Sequence, residues 1–271
     1  MLSMRDVHFH YQDEPVLKGI SLDIDQYSVS GLVGGNGCGK STLFMNLTGV
    51  LRPRQGAVWW QGAPLGYSKA DLLALRQRVA TVFQDPEQQI FYTDIDSDIA
   101  FSLRNLGMDE SVIRERVELA ITLVDAHAFR HKPIQCLSHG QKKRVAIAGA
   151  LVMDADYLLL DEPTAGLDPA GRQQMMAIIR RIVARGKHVV ISSHDLDLIY
   201  EICDGVYVMK AGEIIARGTP DVVFSQQETL TAAGLVQPWL VKLHQHLGFP
   251  LCKSEDEFFA RAGMLRAQGA A

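Results

Sequence analysis

The run Gly34-Gly35-Asn36-Gly37-Cys38-Gly39-Lys40-Ser41 follows a β-like apolar segment, Val29 to Val33, and leads into a helical segment from Lys40. Glycines at this spacing let successive backbone N–H groups curl round one phosphate, and the helix that follows points its positive end at the same place. Lys40 is then placed to hold the β- and γ-phosphates and Ser41 to ligate Mg2+. The candidate phosphate cradle comprises Gly34, Gly35, Asn36, Gly37, Cys38, Gly39, Lys40, Ser41 and Thr42. A helix N-terminus favours alkylation of Cys38, although filling a tight loop is its plainer role. A strand, glycine loop and helix in this order point to an α/β core.

The rest of the chain fits that core. Short β-like runs at Met4 to Tyr11, Leu17 to Ile24 and Ala57 to Gln61 predict an antiparallel β edge. From Val79 a strand gives way to a polar loop, Gln84 to Tyr92, and then to mostly helical sequence from Asp94 to about Arg130. The apolar runs Tyr157 to Leu160 and His188 to Ile191 suit buried parallel strands. Asp168-Pro169 and Thr219-Pro220 each read as a capping oxygen before a first-turn proline, and Ser254 with Glu257 as a capping box. We expect a nucleotide-binding domain over 1–224, with a helical insertion at about 94–152, and a small helical appendage over 225–271.

Charge and composition exclude several classes. The 271 residues are 47% hydrophobic and 21% charged, which suits a globular chain of one or two domains rather than a disordered or fibrous one. Lys and Arg number 27 against 31 Asp and Glu, a net charge of -4, so nucleic acid is not an expected partner. Lys142-Lys143-Arg144 and Arg180-Arg181 read as solvated helix faces. Cys38, Cys136, Cys203 and Cys252 have no Cys-x-x-Cys spacing, so a reducing compartment is expected. The N-terminus lacks a secretory signal, and no apolar run is long enough to span a membrane. The pairs His8/His10 and His244/His246 lack a nearby third ligand and read as ordinary surface or sheet residues.

Tyr157 to Leu160 lead into Asp161-Glu162, which places two carboxylates at the carboxyl end of a buried strand. Asp161 would hold Mg2+, and Glu162 would orient and polarise the attacking water. Between this pair and the glycine loop lies Leu137-Ser138-His139-Gly140-Gln141, where Ser138 and Gln141 form a capping box whose free N–H groups face an anion.

With these motifs in this order, the sequence from about 4 to 220 resembles the ATP-binding cassette (ABC) family, whose signature is Leu-Ser-Gly-Gly-Gln. The resemblance implies a P-loop NTPase core of ABC type with an antiparallel β edge and an inserted helical subdomain. It implies that Tyr11 stacks on adenine, that Gln84 reaches Mg2+ and the water, that Ala165-Gly166-Leu167-Asp168 joins two active sites, and that His194 is the switch histidine. It further implies that Ser138, Gly140 and Gln141 meet the γ-phosphate held by a partner subunit, in a homodimer or a dimer with a similar ATPase. His139 departs from the family's glycine and is a candidate for pH response, with a plain spacer role as the alternative.

Soluble family members in translation and DNA repair carry paired cassettes, coiled-coil insertions or zinc-binding cysteines, none of which is seen here, so transport is the expected class. Gln84-Asp85-Pro86-Glu87-Gln88-Gln89-Ile90-Phe91 resembles the loop of energy-coupling-factor importers, and Ser138 to Arg144 resembles their cobalt or nickel members. The implied role is Mg2+-dependent ATP hydrolysis at the cytoplasmic face of the membrane, coupled to cobalt uptake through integral coupling and substrate-binding subunits. Nickel or a vitamin-type cargo is the alternative, and a non-transport remodelling role a more distant one. Gln88 to Phe91 suits docking of a helix from the coupling subunit. In the tail, Leu240, Leu243 and Leu247 at helical spacing fit either a dimer contact or packing on the chain's own domain.

Overall fold

The runs Tyr157–Asp161 and His188–Ser192 are buried almost throughout, as strands covered on both faces must be. The computed structural model describes residues 1–269. In chain order its elements are β1 (Leu2–Tyr11), β2 (Glu14–Asp23), β3 (Val29–Gly34), α1 (Lys40–Leu47), β4 (Gln55–Trp60), β5 (Ala63–Pro64), α2 (Lys69–Arg76), β6 (Val79–Val82), α3 (Ile95–Asn105), α4 (Glu110–Leu123) and α5 (His139–Leu151). There follow β7 (Tyr157–Asp161), α6 (Pro169–Val183), β8 (His188–Ser192), α7 (Leu196–Ile202), β9 (Gly205–Lys210), β10 (Glu213–Gly218), α8 (Pro220–Phe224), α9 (Gln227–Ala232), α10 (Trp239–Leu247) and α11 (Glu255–Gly269).

Two sheets form. The larger has the order β10-β9-β3-β8-β7-β6, parallel from β9 to β6 with β10 added antiparallel. The smaller, β2-β1-β4-β5, is the antiparallel edge expected from the N-terminal runs. Period-two alternation divides the large sheet's side chains between two cores. Leu158, Leu160, Val189 and Ile191 face the helices of the insertion and α6 and α7, whereas Tyr157, Leu159 and Val190 face α1 and the smaller sheet.

The insertion has local causes. Asp94 and Asp109 cap α3 and α4, and Arg130 donates to Asp96 at 2.8 and 2.9 Å and also to Glu118, tying the two helices together. The helix α2 lies outside the elements read from sequence; it opens on a capping box between Ser68 and Asp71. Thr219 makes no capping hydrogen bond, so that expectation fails, whereas the Asp168 cap forms. In the tail, Glu257 N–H donates to Ser254 Oγ at 3.2 Å.

The tail packs on its own domain. Leu230, Leu240, Val241 and Cys252 join the core that holds Tyr200 and Phe224. The expected stripe is thus displaced: Leu240 and Val241 are its buried pair, and Leu247 is exposed.

Candidate functional site

Parallel strands β3, β8 and β7 lie side by side, with Leu32 and Asp161 both in register with Ser192. Their carboxyl ends therefore bring together the glycine loop, the Ser193-His194 pair and the Asp161-Glu162 pair. This is the edge at which α/β sheets bind ligands.

The loop after β3 turns through left-handed Gly37 and Gly39, with φ of 75° and 109°. A Cβ at Gly34 would sit 2.4 Å from the Met209 carbonyl oxygen and 2.7 Å from Cys38 Sγ, so no larger residue fits. Cys38 is buried and fills the space against Gly34, the geometry its packing role requires. Lys40 Nζ donates to the carbonyl oxygens of Gly34 and Gly35 at 2.8 and 3.2 Å, which holds its charge at the mouth of the cradle. Lys40, Ser41, Thr42, Gln84, Asp161 and Glu162 surround a pocket of about 220 Å³, whose lining also includes Asn36, Gly37 and Gly39. Ser41 Oγ donates to Asp161 Oδ2 at 3.0 Å. Tyr11 lies outside this lining, half-exposed at the end of β1, edge-on to Phe9 with its hydroxyl directed at Met45 Sδ.

Glu162 is buried, and its φ of 46° places a non-glycine residue in the left-handed region. Such strain persists only where the surroundings fix it, and here they do. The Glu162 N–H donates to the Ser192 carbonyl at 2.8 Å. Its Oε1 accepts from the His194 main-chain N–H at 3.0 Å and lies 2.8 Å from His194 Nδ1; its Oε2 accepts from Ser193 Oγ at 3.1 Å.

The signature residues are elsewhere. Ser138, Gly140, Gln141 and Asp168 border a separate cavity of about 370 Å³ to which the glycine loop contributes nothing. Ser138 and Gln141 form the expected box, with N–H to oxygen distances of 3.3 and 3.0 Å. Asp168 Oδ1 accepts from the Gly171 N–H at 2.7 Å and caps α6. The His139 ring lies against Gly166, where an added Cβ would stand 3.4 Å from the imidazole.

Two site features escaped the sequence. Ser193 carries no motif, and Lys143 reads from sequence as part of a solvated face. In fact Lys143 is 2% exposed, Lys142 pairs with Glu87, and Arg144 lies over the Phe129 ring and donates to the Asp125 carbonyl. The available signal was spacing: Lys143 precedes buried Ile147 and Ala150 by four and seven residues on one helix face. Burial pushes the Lys143 ammonium down to about 8, against the pull of Glu162, Asp161 and Asp85. Among the described residues neither histidine pair belongs to a group of three or more potential metal ligands; His8 meets Asp6, and His244 meets the Phe249 carbonyl.

A glycine cradle, its lysine, a strand-end carboxylate pair and a histidine after the next strand define a P-loop nucleoside triphosphatase. Residues 17–165 match the ABC transporter family model, and the chain belongs to that family as an ATP-binding ATPase. It is 72% identical to the cobalt import ATP-binding protein CbiO of Salmonella typhimurium over 96% of each chain. It is also 43% identical to the energy-coupling factor transporter ATP-binding protein EcfA of Methanocaldococcus jannaschii, over 90% of this chain and 88% of that one. Among solved structures, cbiO1 of Clostridium perfringens, part of the transporter complex cbiONQ, superposes with a TM-score of 0.79 at 38% identity, covering 91% and 95% of the two chains. Among the described residues no helix is long and apolar enough to cross a membrane.

Proposed function

We propose that two cassettes, either two copies of this chain or this chain with a similar ATPase, sandwich two ATP molecules and couple their hydrolysis to cobalt(II) import through integral membrane subunits. The observation that carries the sandwich is the division of the nucleotide residues between two cavities, one with the glycine loop and one with the signature. The Ser138 to Gln141 turn shares no lining with the glycine-loop pocket, so in this reading its helix N-terminus serves a nucleotide on a facing cassette. The cobalt reading rests on the Salmonella relative, named for cobalt import, at 72% identity. Nickel or a vitamin-type cargo is the alternative, since the ATPase need not touch the cargo. We read 1–224 as the nucleotide-binding domain and 225–271 as its appendage.

In this reading the β- and γ-phosphates draw Lys40 Nζ from the Gly34 and Gly35 carbonyls, exchanging two neutral acceptors for charged ones. The adjacent Ser41 hydroxyl and Asp161 carboxylate, with the Gln84 amide in the same pocket, form an oxygen donor set that fits Mg2+. Mg2+ held there would neutralise charge on the phosphates. Glu162, steadied by Ser193 and His194, orients the water, and Tyr11, outside the pocket lining, serves as the adenine platform.

An apolar pocket of about 300 Å³, lined by Phe44, Met45, Val50 and Phe83, reaches Ser41 and Asp161 at the phosphate site. Phe91, in the loop that follows Gln84, is 72% exposed and packs on Phe101. This exposed aromatic supports docking of a coupling-subunit helix at the Gln88 to Phe91 loop, which would hold the chain at the cytoplasmic face of the membrane. The test is uptake of labelled Co2+ at trace concentration in source cells carrying native chain or Glu162→Gln, with Ni2+ as parallel tracer. Loss of cobalt uptake with nickel spared is expected. Loss of nickel alone reassigns the metal, and no change in either removes the metal reading.

A further inference from the structure

A buried ammonium is among the costliest groups to place in a protein interior, and an apolar side chain of similar reach would fill the same space without that cost. Lys143 is 2% exposed, and its Nζ donates to the main-chain carbonyl of Glu162 at 2.7 Å. What the position supplies is therefore this contact.

Glu162 has an unusual backbone to hold. Its N–H is fixed by the Ser192 carbonyl in the neighbouring strand, and its carbonyl, which also accepts from the Ala165 N–H at 3.2 Å, is fixed by Lys143. The first bond constrains one side of the Cα and the second constrains the other, so together they lock a left-handed residue that would relax if released. The carboxylate direction follows from that lock, and Ser193 and His194 then meet its two oxygens. Lys142, the preceding residue, reaches Glu87 in the loop that follows Gln84. One turn of α5 thus grips both the loop beside the phosphate pocket and the turn that carries the carboxylate.

We propose that Lys143 is a positioning residue for ATP hydrolysis, holding the Glu162 main chain so that its carboxylate faces the attacking water; this rests on the role assigned to Glu162 above. The helix that opens with the signature is thereby tied to the carboxylate of the chain's own phosphate pocket.

The experiment compares the full-length native chain with Lys143→Met, Lys143→Gln, Glu162→Gln and the Lys143→Met/Glu162→Gln double variant. Readouts are kcat, KM for MgATP, affinity for a fluorescent ATP analogue, and single-turnover hydrolysis. Met and Gln have the same reach, but only Gln keeps an N–H donor. Lys143→Met is expected to lower kcat roughly tenfold or more while KM and analogue affinity stay within about twofold. Lys143→Gln is expected to recover part of that loss, and it carries the test, against native kcat, if the Met variant does not fold. In the Glu162→Gln background, adding Lys143→Met is expected to cost less than about twofold further, because the two residues act as a unit. The inference is overturned if Lys143→Met hydrolyses as native while Glu162→Gln is impaired, if analogue affinity falls in step with kcat, or if the full loss persists in the Glu162→Gln background. Normal hydrolysis by Glu162→Gln would instead remove the role of Glu162 itself.

Discussion

His194 meets Glu162 Oε1 twice, with its main-chain N–H at 3.0 Å and its imidazole Nδ1 at 2.8 Å. An ionised carboxylate only accepts, so the ring proton must sit on Nδ1, which leaves Nε2 free on an exposed side chain. Glu162→Gln preserves the shape of this cluster but removes the charge that, in the proposed role, polarises water. The variant should bind ATP, lose about a hundredfold or more in kcat, and accumulate as a closed dimer visible by light scattering. Native turnover by this variant would assign water activation to another group.

His139 lies against Gly166 at the start of α5, while the capping box of that helix is made by Ser138 and Gln141. Because the backbone donors do not depend on the imidazole, His139→Gly should keep most ATPase activity. A loss above roughly a hundredfold, about 2.7 kcal/mol, would make the ring a participant.

Lys143 also sets a pH dependence of stability. Its folded value, near 8, lies below its ordinary range because of burial, so the unfolded chain binds the extra proton. The penalty is fully present below about pH 8 and fades as pH rises toward the unfolded lysine value near 10.4. Urea unfolding of native chain and Lys143→Met should show the stability difference moving in favour of the native chain between about pH 7 and pH 10. A difference independent of pH would contradict the buried, charged state.

Leu240 and Val241 are buried in the core that contains Tyr200, and the Trp239 N–H donates to Asp197 of α7 at 2.9 Å. Leu240→Ala should cost about 2 to 5 kcal/mol by thermal or urea unfolding. Truncation after Ser225 should expose this surface and lower solubility. A truncated chain as stable and soluble as the native one, but with weakened dimerisation, would return the tail to the role of a contact between subunits.

The glycine loop, the Asp161-Glu162 pair and the signature were legible because phosphate binding ties residue type tightly to backbone geometry. The parallel strands were legible from runs such as Tyr157 to Leu160, apolar on both faces. Sheet order was not, since nothing local to β8 says that it enters between β3 and β7. Nor was the fate of Lys143-Arg144: a charge triplet reads as solvent-facing until helix phase places Lys143 in line with Ile147 and Ala150. The capping site at Thr219 misled for a related reason, because an oxygen before proline permits a cap without forcing the rotamer that makes one.

The separation of the two cavities on one chain also has a genetic consequence. Lys40→Ala damages the phosphate cradle and Ser138→Arg blocks the signature, so two such alleles strike different cavities of the same polypeptide. If the proposed sandwich is built from two copies of this chain, a mixed pair would gather both lesions into one nucleotide site and leave the other wholly native. Defects in a single gene would then show intragenic complementation, whereas two alleles of the cradle would not.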